Sequence, residues 1–404
     1  MVAPDRYRWV VLAVGATAQG TTAAFFMGLA SVTPALRAHY GLDLAGVGAL
    51  IGAISVGLVA TMIPWGGAAD RFGERGVMTV GLLGSAAALA AAAVVPGPVA
   101  AGLLLALAGA SGASVNAASG RAVLTWFPAE LRGFAMAVRQ TAVPAGAAVA
   151  AVVLPGLAGS AGIPAVLAAL SGASLVMAGA VAVWVREPPD RPARGTTART
   201  GFRAVLADKR LQRLSAAGFA LVVPQYLGVT FLVEMLHDGS GLPLAVAGAL
   251  LAGTQVLSAA GRIGVGAWSD RVASRLGPLR ILAVAVAVGF ATSAALEPGP
   301  ATLLAAVLVP AVALAACWNG LVFTAAGELA PAGRAATGMA VTNTANFLSA
   351  AITPVVGGAV AQVAGWPAML ALGAVAAVFA RVALAGLGPD QDERSRAATP
   401  AQNS

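Results

Sequence analysis

Four arginines stand inside long apolar runs of this chain: Arg121, Arg139, Arg262 and Arg381. Acids hardly accompany them; Glu234, near the end of its run, is the one carboxylate candidate at such depth. A charge at membrane depth is costly, so it marks function by default. A guanidinium presents a planar fork of donors that matches carboxylates and similar oxyanions. The pattern predicts a site for a small anionic solute. Arg262 and Arg121 would attract it, and Arg139, Gln140, Gln225, Asn319 and Asn343 would shape the site. A cation–proton exchanger would want a buried acid, and this sequence barely offers one. The plainer alternatives are interhelical hydrogen bonding for each amide and snorkelling to the interface for Arg121 and Arg139. Arg381 falls late in its run and reads as interfacial.

A second pattern is positional. Gly66-x-x-x-Asp70-Arg71-x-Gly73-x-Arg75 separates two apolar runs, and Gly266-x-x-x-Asp270-Arg271 separates two others. Each aspartate ends a helix, where its carboxylate can accept from the N-terminus of a neighbouring helix. The arginines can pair with carboxylates across the same surface. Such contacts form in one conformation and break in another, which is what a conformational gate needs. The plainer alternative is a tight turn with caps and topology charges. No nucleophile–base set, metal-ligand set or phosphate loop occurs. Cysteine is limited to Cys317 and histidine to His39 and His237. Neither an enzyme nor a metal or cofactor site is expected.

The elements that hold these residues follow from composition. Of 404 residues, 59% are apolar and only 10% are charged, and mean hydropathy is +0.85. An average soluble chain is about 25% charged, so the lipid bilayer must cover much of this one. The pI of about 11.1 invites a nucleic-acid partner, but the basic residues lie scattered between apolar runs instead of massed on one face. A helix needs roughly 20 apolar residues to cross. Twelve runs qualify: about 9–33, 44–67, 77–95, 99–125, 133–157, 162–185, 212–236, 243–268, 279–296, 300–327, 335–362 and 365–388. They do not alternate as barrel strands would, so the fold class is an all-α polytopic membrane protein. The first run is too long for a cleaved signal core. Gly48-x-x-x-Gly52 in the second run looks like a helix-packing pair.

A polar, Arg- and Pro-rich stretch divides the spans six and six. The expected organisation is a six-helix bundle over 1–185, a linker over 186–211, a second bundle over 212–388 and a tail over 389–404. With the N-terminus inside, inner segments hold nearly all the Lys and Arg, among them Arg191, Arg194, Arg199, Arg394 and Arg396, while the outer loops hold Arg37. Both termini are therefore expected in the cytoplasm of a plasma-membrane, multi-pass protein. A monomer is expected.

The halves are internally alike. Gly66-Gly67-Ala68-Ala69-Asp70-Arg71 recurs as Gly266-Ala267-Trp268-Ser269-Asp270-Arg271. Ala135-Met136-Ala137-Val138 recurs as Gly338-Met339-Ala340-Val341, and Gly162-Ile163-Pro164-Ala165 as Gly365-Trp366-Pro367-Ala368. Asn116 is near-equivalent to Asn319, and Gln140 to Asn343. Two six-helix repeats with a site near the midplane form a transporter architecture. The duplicated Gly-x-x-x-Asp-Arg loop resembles the signature loop of the major facilitator superfamily, and the resemblance extends over residues 1–388. It implies twelve helices in two pseudo-symmetric bundles and secondary transport by alternating access.

Shorter strings resemble anion-handling branches. Arg121-Ala122-Val123-Leu124-Thr125-Trp126-Phe127-Pro128 is similar to the end of span 4 in anion:cation symporters of sugar acids. Arg262 is placed like an anion-contacting arginine of nitrate and monocarboxylate porters. Arg139-Gln140-Thr141-Ala142-Val143-Pro144 with Pro224-Gln225-Tyr226 resembles the cyanate and nitroimidazole transporter branch. The resulting expectation is a carrier of a small anion. Efflux of an amphiphilic drug or secondary metabolite from the same fold is the alternative, and a non-transporting scaffold is a third reading that the short loops disfavour.

Overall fold

A computed structural model describes residues 4–186 and 202–388. Residues 187–201 of the expected linker and the whole of the 389–404 tail lie outside the described residues, and with them Arg191, Arg194, Arg199, Arg394 and Arg396. All regular structure among the described residues is helical. In chain order the helices are α1 (Pro4–Phe26), α2 (Thr33–Tyr40), α3 (Leu44–Phe72), α4 (Glu74–Val94), α5 (Pro98–Trp126), α6 (Ala129–Trp184), α7 (Phe202–Ala207), α8 (Lys209–Glu234), α9 (Leu244–Arg271), α10 (Leu276–Leu296), α11 (Ala301–Ala315), α12 (Asn319–Leu329) and α13 (Ala335–Ala385).

Local chemistry sets several of these ends. Asp43 begins α3 by accepting from the Gly46 amide at 2.7 Å. Asp208 begins α8 by accepting from the Arg210 and Leu211 amides. Both satisfy donors that a helix start leaves open. Six of the residues expected as linker therefore form α7, and Asp208 marks the turn into the next long helix.

Ten helical stretches among the described residues are long and apolar enough to cross a membrane. The sequence predicts twelve runs, and the difference lies in two helices. α6 has 56 residues and α13 has 51. At 1.5 Å per residue they would extend about 84 and 77 Å, far beyond a hydrocarbon core of about 30 Å. Each is interrupted by one non-helical residue: Gly162 at φ 77°, ψ 179° and Gly365 at φ 80°, ψ 173°. Positive φ is readily adopted by glycine. Pro164 and Pro367 follow two residues later and cannot donate back across the break. The repeated Gly-x-Pro-Ala string thus encodes the same break twice.

The chain forms two compact units. Among the described residues, unit 1 comprises 4–127, 138–186, 202–205 and 330–341; unit 2 comprises 128–137, 206–329 and 342–388. Two helices therefore change unit part-way: α6 after Ala137 and α13 after Val341. Unit 1 buries one apolar cluster around Phe25, Leu29, Ile54, Leu89, Leu105 and Leu167. A second, around Met78, Leu82, Val115 and Val181, includes Ala336 from the start of α13. Unit 2 is built around Leu227, Met235, Phe290, Leu308, Val312 and Met369.

Candidate functional site

Asp70 is the last charged group but one on α3, and it caps α13. Its Oδ1 accepts from the Ala336 amide at 3.0 Å and its Oδ2 from the Thr337 amide at 2.9 Å. The Thr337 hydroxyl donates to the same Oδ2. A carboxylate at a helix N-terminus is stabilised by the open N–H groups and by the helix dipole. Gly66, one turn earlier, lets α3 come this close. A Cβ there would stand 2.7 Å from the Ala340 Cβ and 2.9 Å from the Ala336 oxygen. Arg121 of α5 closes the set. Its Nη1 donates to Glu74 Oε1 at 2.9 Å and to the Ala69 carbonyl at 3.2 Å, and its Nε lies 3.4 Å from Asp70 Oδ1. Thr125, one turn along α5, adds a 3.3 Å bond to Glu74 Oε1. Gly73, at φ 89°, makes the turn between α3 and α4.

Unit 2 repeats the construction. Asp270 ends α9 and caps α6, accepting from the Gly133 amide at 2.9 Å and the Phe134 amide at 2.7 Å. These amides lie 203 residues before Ala336 and Thr337, the offset of the sequence repeat. Gly266 makes the approach possible, since a Cβ there would lie 2.6 Å from the Gly133 oxygen. The arginine now comes from another place. Arg275 bonds to Asp270 Oδ1 and to the Ala129 carbonyl, and its Nε lies 3.6 Å from Glu328 Oε2. Arg132 reaches the other oxygen of Glu328 at 3.4 Å. In unit 1 the second acid is the first residue of α4 and the arginine sits on α5. In unit 2 the arginine precedes α10 and the second acid sits on α12. The two partners have exchanged helices between the repeats, and the capped aspartate keeps its place.

The remaining predicted residues fall into two polar groups, one in each unit. In unit 1, Arg139 is 3% exposed. Its Nε donates to Ser119 Oγ at 2.9 Å, Nη1 to Gln140 Oε1 at 2.8 Å and Nη2 to the Asn116 carbonyl at 2.8 Å. Gln19 joins the same set, 3.2 Å from both Asn116 Oδ1 and Gln140 Oε1. In unit 2, α11 ends at Ala315 and α12 begins at Asn319, which frees the Ala316 carbonyl. Arg262 Nε donates to it at 2.8 Å, and Asn319 Nδ2 at 3.3 Å. Asn319 Nδ2 also reaches Gln225 Oε1 at 3.3 Å. Irregular backbone at membrane depth needs such partners. Each unit thus joins a glutamine of its first long helix to the repeat-related asparagine, Gln19 to Asn116 and Gln225 to Asn319. Asn343 is half-buried on α13.

The sequence profile of the Major Facilitator Superfamily matches residues 15–354. The chain belongs to the major facilitator superfamily. An uncharacterized MFS-type transporter of Mycobacterium tuberculosis is 34% identical over 370 residues, covering 90% of this chain and 82% of the relative. Among solved structures, the Escherichia coli fucose:proton symporter superposes with a TM-score of 0.73 at 16% identity, covering 93% of this chain and 98% of that one. The proton:xylose symporter gives 0.76 at 14%, covering 96% and 98%. The human organic anion transporter TETRAN gives 0.73 at 18%, covering 95% and 100%. At such identities these likenesses show the fold.

Within this MFS transporter, the structure separates the predicted residues. Gly66, Asp70, Gly73, Gly266 and Asp270 gather at the two capped helix starts. Arg71, Arg75 and Arg271 stand exposed, with the Arg71 guanidinium 5.1 Å from the Phe72 ring. The carboxylate pairing expected of Arg71 and Arg75 is made instead by Arg121 and Arg275. Arg121, expected to attract an anion, is grouped with two acids. Glu234 is exposed at the end of α8. Sequence reasoning passed over Glu74, Arg275, Glu328 and Thr337. Glu74 lies inside the signature string, between Gly73 and Arg75, and Arg275 is the repeat of Arg75. Aligning the second loop past Asp270 finds Arg275; only packing finds Glu328.

Proposed function

We propose that this MFS transporter carries a small anionic solute across the plasma membrane by alternating access, with twelve crossings in two six-helix bundles and both termini in the cytoplasm. The observation that carries the anion is the placement of Arg139 and Arg262. Both are buried within helices long and apolar enough to cross a membrane, and the hydrogen bonds given above run from each to neutral acceptors. Holding a guanidinium at membrane depth is costly, and an oxyanion that accepts hydrogen bonds from it offsets that cost with charge-assisted bonds. Gln140, Gln225, Asn319 and Asn343 supply orienting donors and acceptors.

Arg121 has a different role in this reading. With Asp70, Glu74 and Thr337 it forms one latch, and Arg275 with Asp270 and Glu328 forms the other. Each latch holds the start of a helix whose remainder belongs to the other unit. Releasing the caps and remaking them is the conformational cycle we assign to the pair, in keeping with bistable switching elements.

Proteoliposome exchange with a panel of small carboxylates, inorganic anions and neutral analogues tests the substrate class. The proposal expects saturable exchange of at least one anion that its neutral analogue does not inhibit. Transport confined to neutral or cationic amphiphiles, together with resistance on expression, would establish the efflux alternative.

A further inference from the structure

A groove opens on unit 2 between α10 and the last stretch of α13. It is lined by Ala287, Val288 and Ala291 from one helix and Ala374, Val375 and Val378 from the other, and its volume is about 350 Å³. Val288, Val375 and Val378 are 60, 65 and 53% exposed, so the groove lies open on the surface of the unit. An open groove lined only by alanine and valine side chains suits a run of methylenes. The lining offers no hydrogen-bonding side chain.

One end of this groove is strongly positive. On α10, Arg280 shares a face with Val284, Ala287 and Ala291, at helical spacing. On α13, Arg381 shares a face with Ala374 and Val378 by the same spacing. Arg381 is half-buried. Arg280 Nη2 donates to the Leu384 carbonyl at 3.0 Å and the Gly388 carbonyl at 2.6 Å, and Arg213 Nη1 reaches the Gly386 carbonyl. Three guanidiniums therefore surround the end of α13, while residues 276–296 and 366–388 contain no acid. Arg381 lies three residues, about 4.5 Å of helix rise, from Val378, and Arg280 lies seven, about 10 Å, from Ala287. That is the layout of a phospholipid: apolar chain, then anionic phosphate. Basic pockets between membrane helices select anionic headgroups.

We propose that this groove holds one anionic phospholipid, with an acyl chain against Ala287, Ala291, Ala374 and Val378 and the phosphate on Arg381. Arg280 and Arg213 add field while holding the C-terminal carbonyls of α13. The competing partners for Arg381 are the acids that follow in the chain, Asp390, Asp392 and Glu393, and a second copy of the chain seated on the groove.

Native mass spectrometry of the full chain, titrated with phosphatidylglycerol or phosphatidylcholine, separates these. The expected result is one phosphatidylglycerol retained preferentially, with affinity reduced about fivefold or more in Arg381→Gln. Ala291→Phe, which fills an exposed part of the groove and leaves every charge in place, should weaken both lipids. Neutralising Asp390, Asp392 and Glu393 together should leave phosphatidylglycerol binding unchanged. Equal retention of the two lipids, or no effect of Arg381→Gln, overturns the proposal. So does a rise in phosphatidylglycerol binding on neutralising the tail, or a dimer mass abolished by Ala291→Phe.

Discussion

Replacing Asp70 by asparagine should loosen the start of α13 and leave the start of α6 closed. The Asp70 carboxylate is 2% exposed, so solvent does little to soften the change. Both of its oxygens are committed to backbone amides, at 3.0 and 2.9 Å. An asparagine keeps one acceptor and turns an NH₂ group toward the other amide. One charge-assisted bond is lost, worth roughly 1.5–3 kcal/mol, and one buried N–H is left unsatisfied, costing roughly 1–3 kcal/mol. These overlap, so the expected loss is about 2–4 kcal/mol. Arg121 retains Glu74 at 2.9 Å and is not stranded, so the larger penalty of a broken buried pair does not apply. At 1.4 kcal/mol per tenfold, local opening should become about 30- to 700-fold more frequent. Hydrogen–deuterium exchange reads this directly: amides of 335–341 should exchange faster by that factor, while those of 129–137, capped by Asp270, should not change. Thr337→Val, which removes only the hydroxyl contact, should give a smaller effect. Less than a threefold change at 335–341, or equal changes in both segments, would refute the latch.

Three further outcomes follow from the same geometry. Arg275→Ala strips Asp270 and Glu328 of a shared cation and should cost about 3 kcal/mol in thermal or denaturant stability; Arg275→Lys should not restore it, because one ammonium cannot replace a fork that bonds Asp270 and the Ala129 carbonyl together. Ala273 holds φ 47° where the first repeat has Gly73. Relieving a left-handed conformation gains about 1–2 kcal/mol against a loss of about 0.4–1 to unfolded-chain entropy, so Ala273→Gly should raise the melting temperature slightly, and a fall would contradict the argument. Gly66→Ala places a Cβ 2.7 Å from that of Ala340 and should cost about 1–3 kcal/mol as overpacking, visible as lower stability and as faster exchange at 335–341.

Much of this architecture is legible in the sequence because a membrane imposes strong rules. Apolar runs, the duplicated Asp-Arg loop and the repeated Gly-x-Pro-Ala string each have a local cause, and the last marks Gly162 and Gly365 as breaks inside continuous helices. Side-chain partners are less legible. Arg121 lies near the inner end of its run by simple rise arithmetic, but that position fits a substrate ligand and a latch equally well. Its assignment needs Glu74, which belongs to another helix. Gly48 and Gly52 have the spacing of a packing pair, and a Cβ at either would meet nothing within 4 Å; on α3 the close approach falls at Gly57, where a Cβ would stand 1.8 Å from the Ala106 oxygen. Helical spacing tells which residues share a face, and the face opposite is settled only by packing.

On the proposed reading, Arg121 and Arg275 hold the capped helix starts, and Arg139 and Arg262 receive the anion. Anion uptake into proteoliposomes, measured beside melting temperature for Arg139→Gln, Arg262→Gln and Arg121→Gln, tests this division. Arg139→Gln and Arg262→Gln should weaken apparent substrate affinity about tenfold or more, the scale of one lost charge-assisted contact, beside the fall in melting temperature that their lost buried hydrogen bonds bring. Arg121→Gln should lower melting temperature while the apparent affinity of the surviving protein is unchanged. Wild-type affinity in both Arg139→Gln and Arg262→Gln would contradict the claim that these buried guanidiniums exist for an anion.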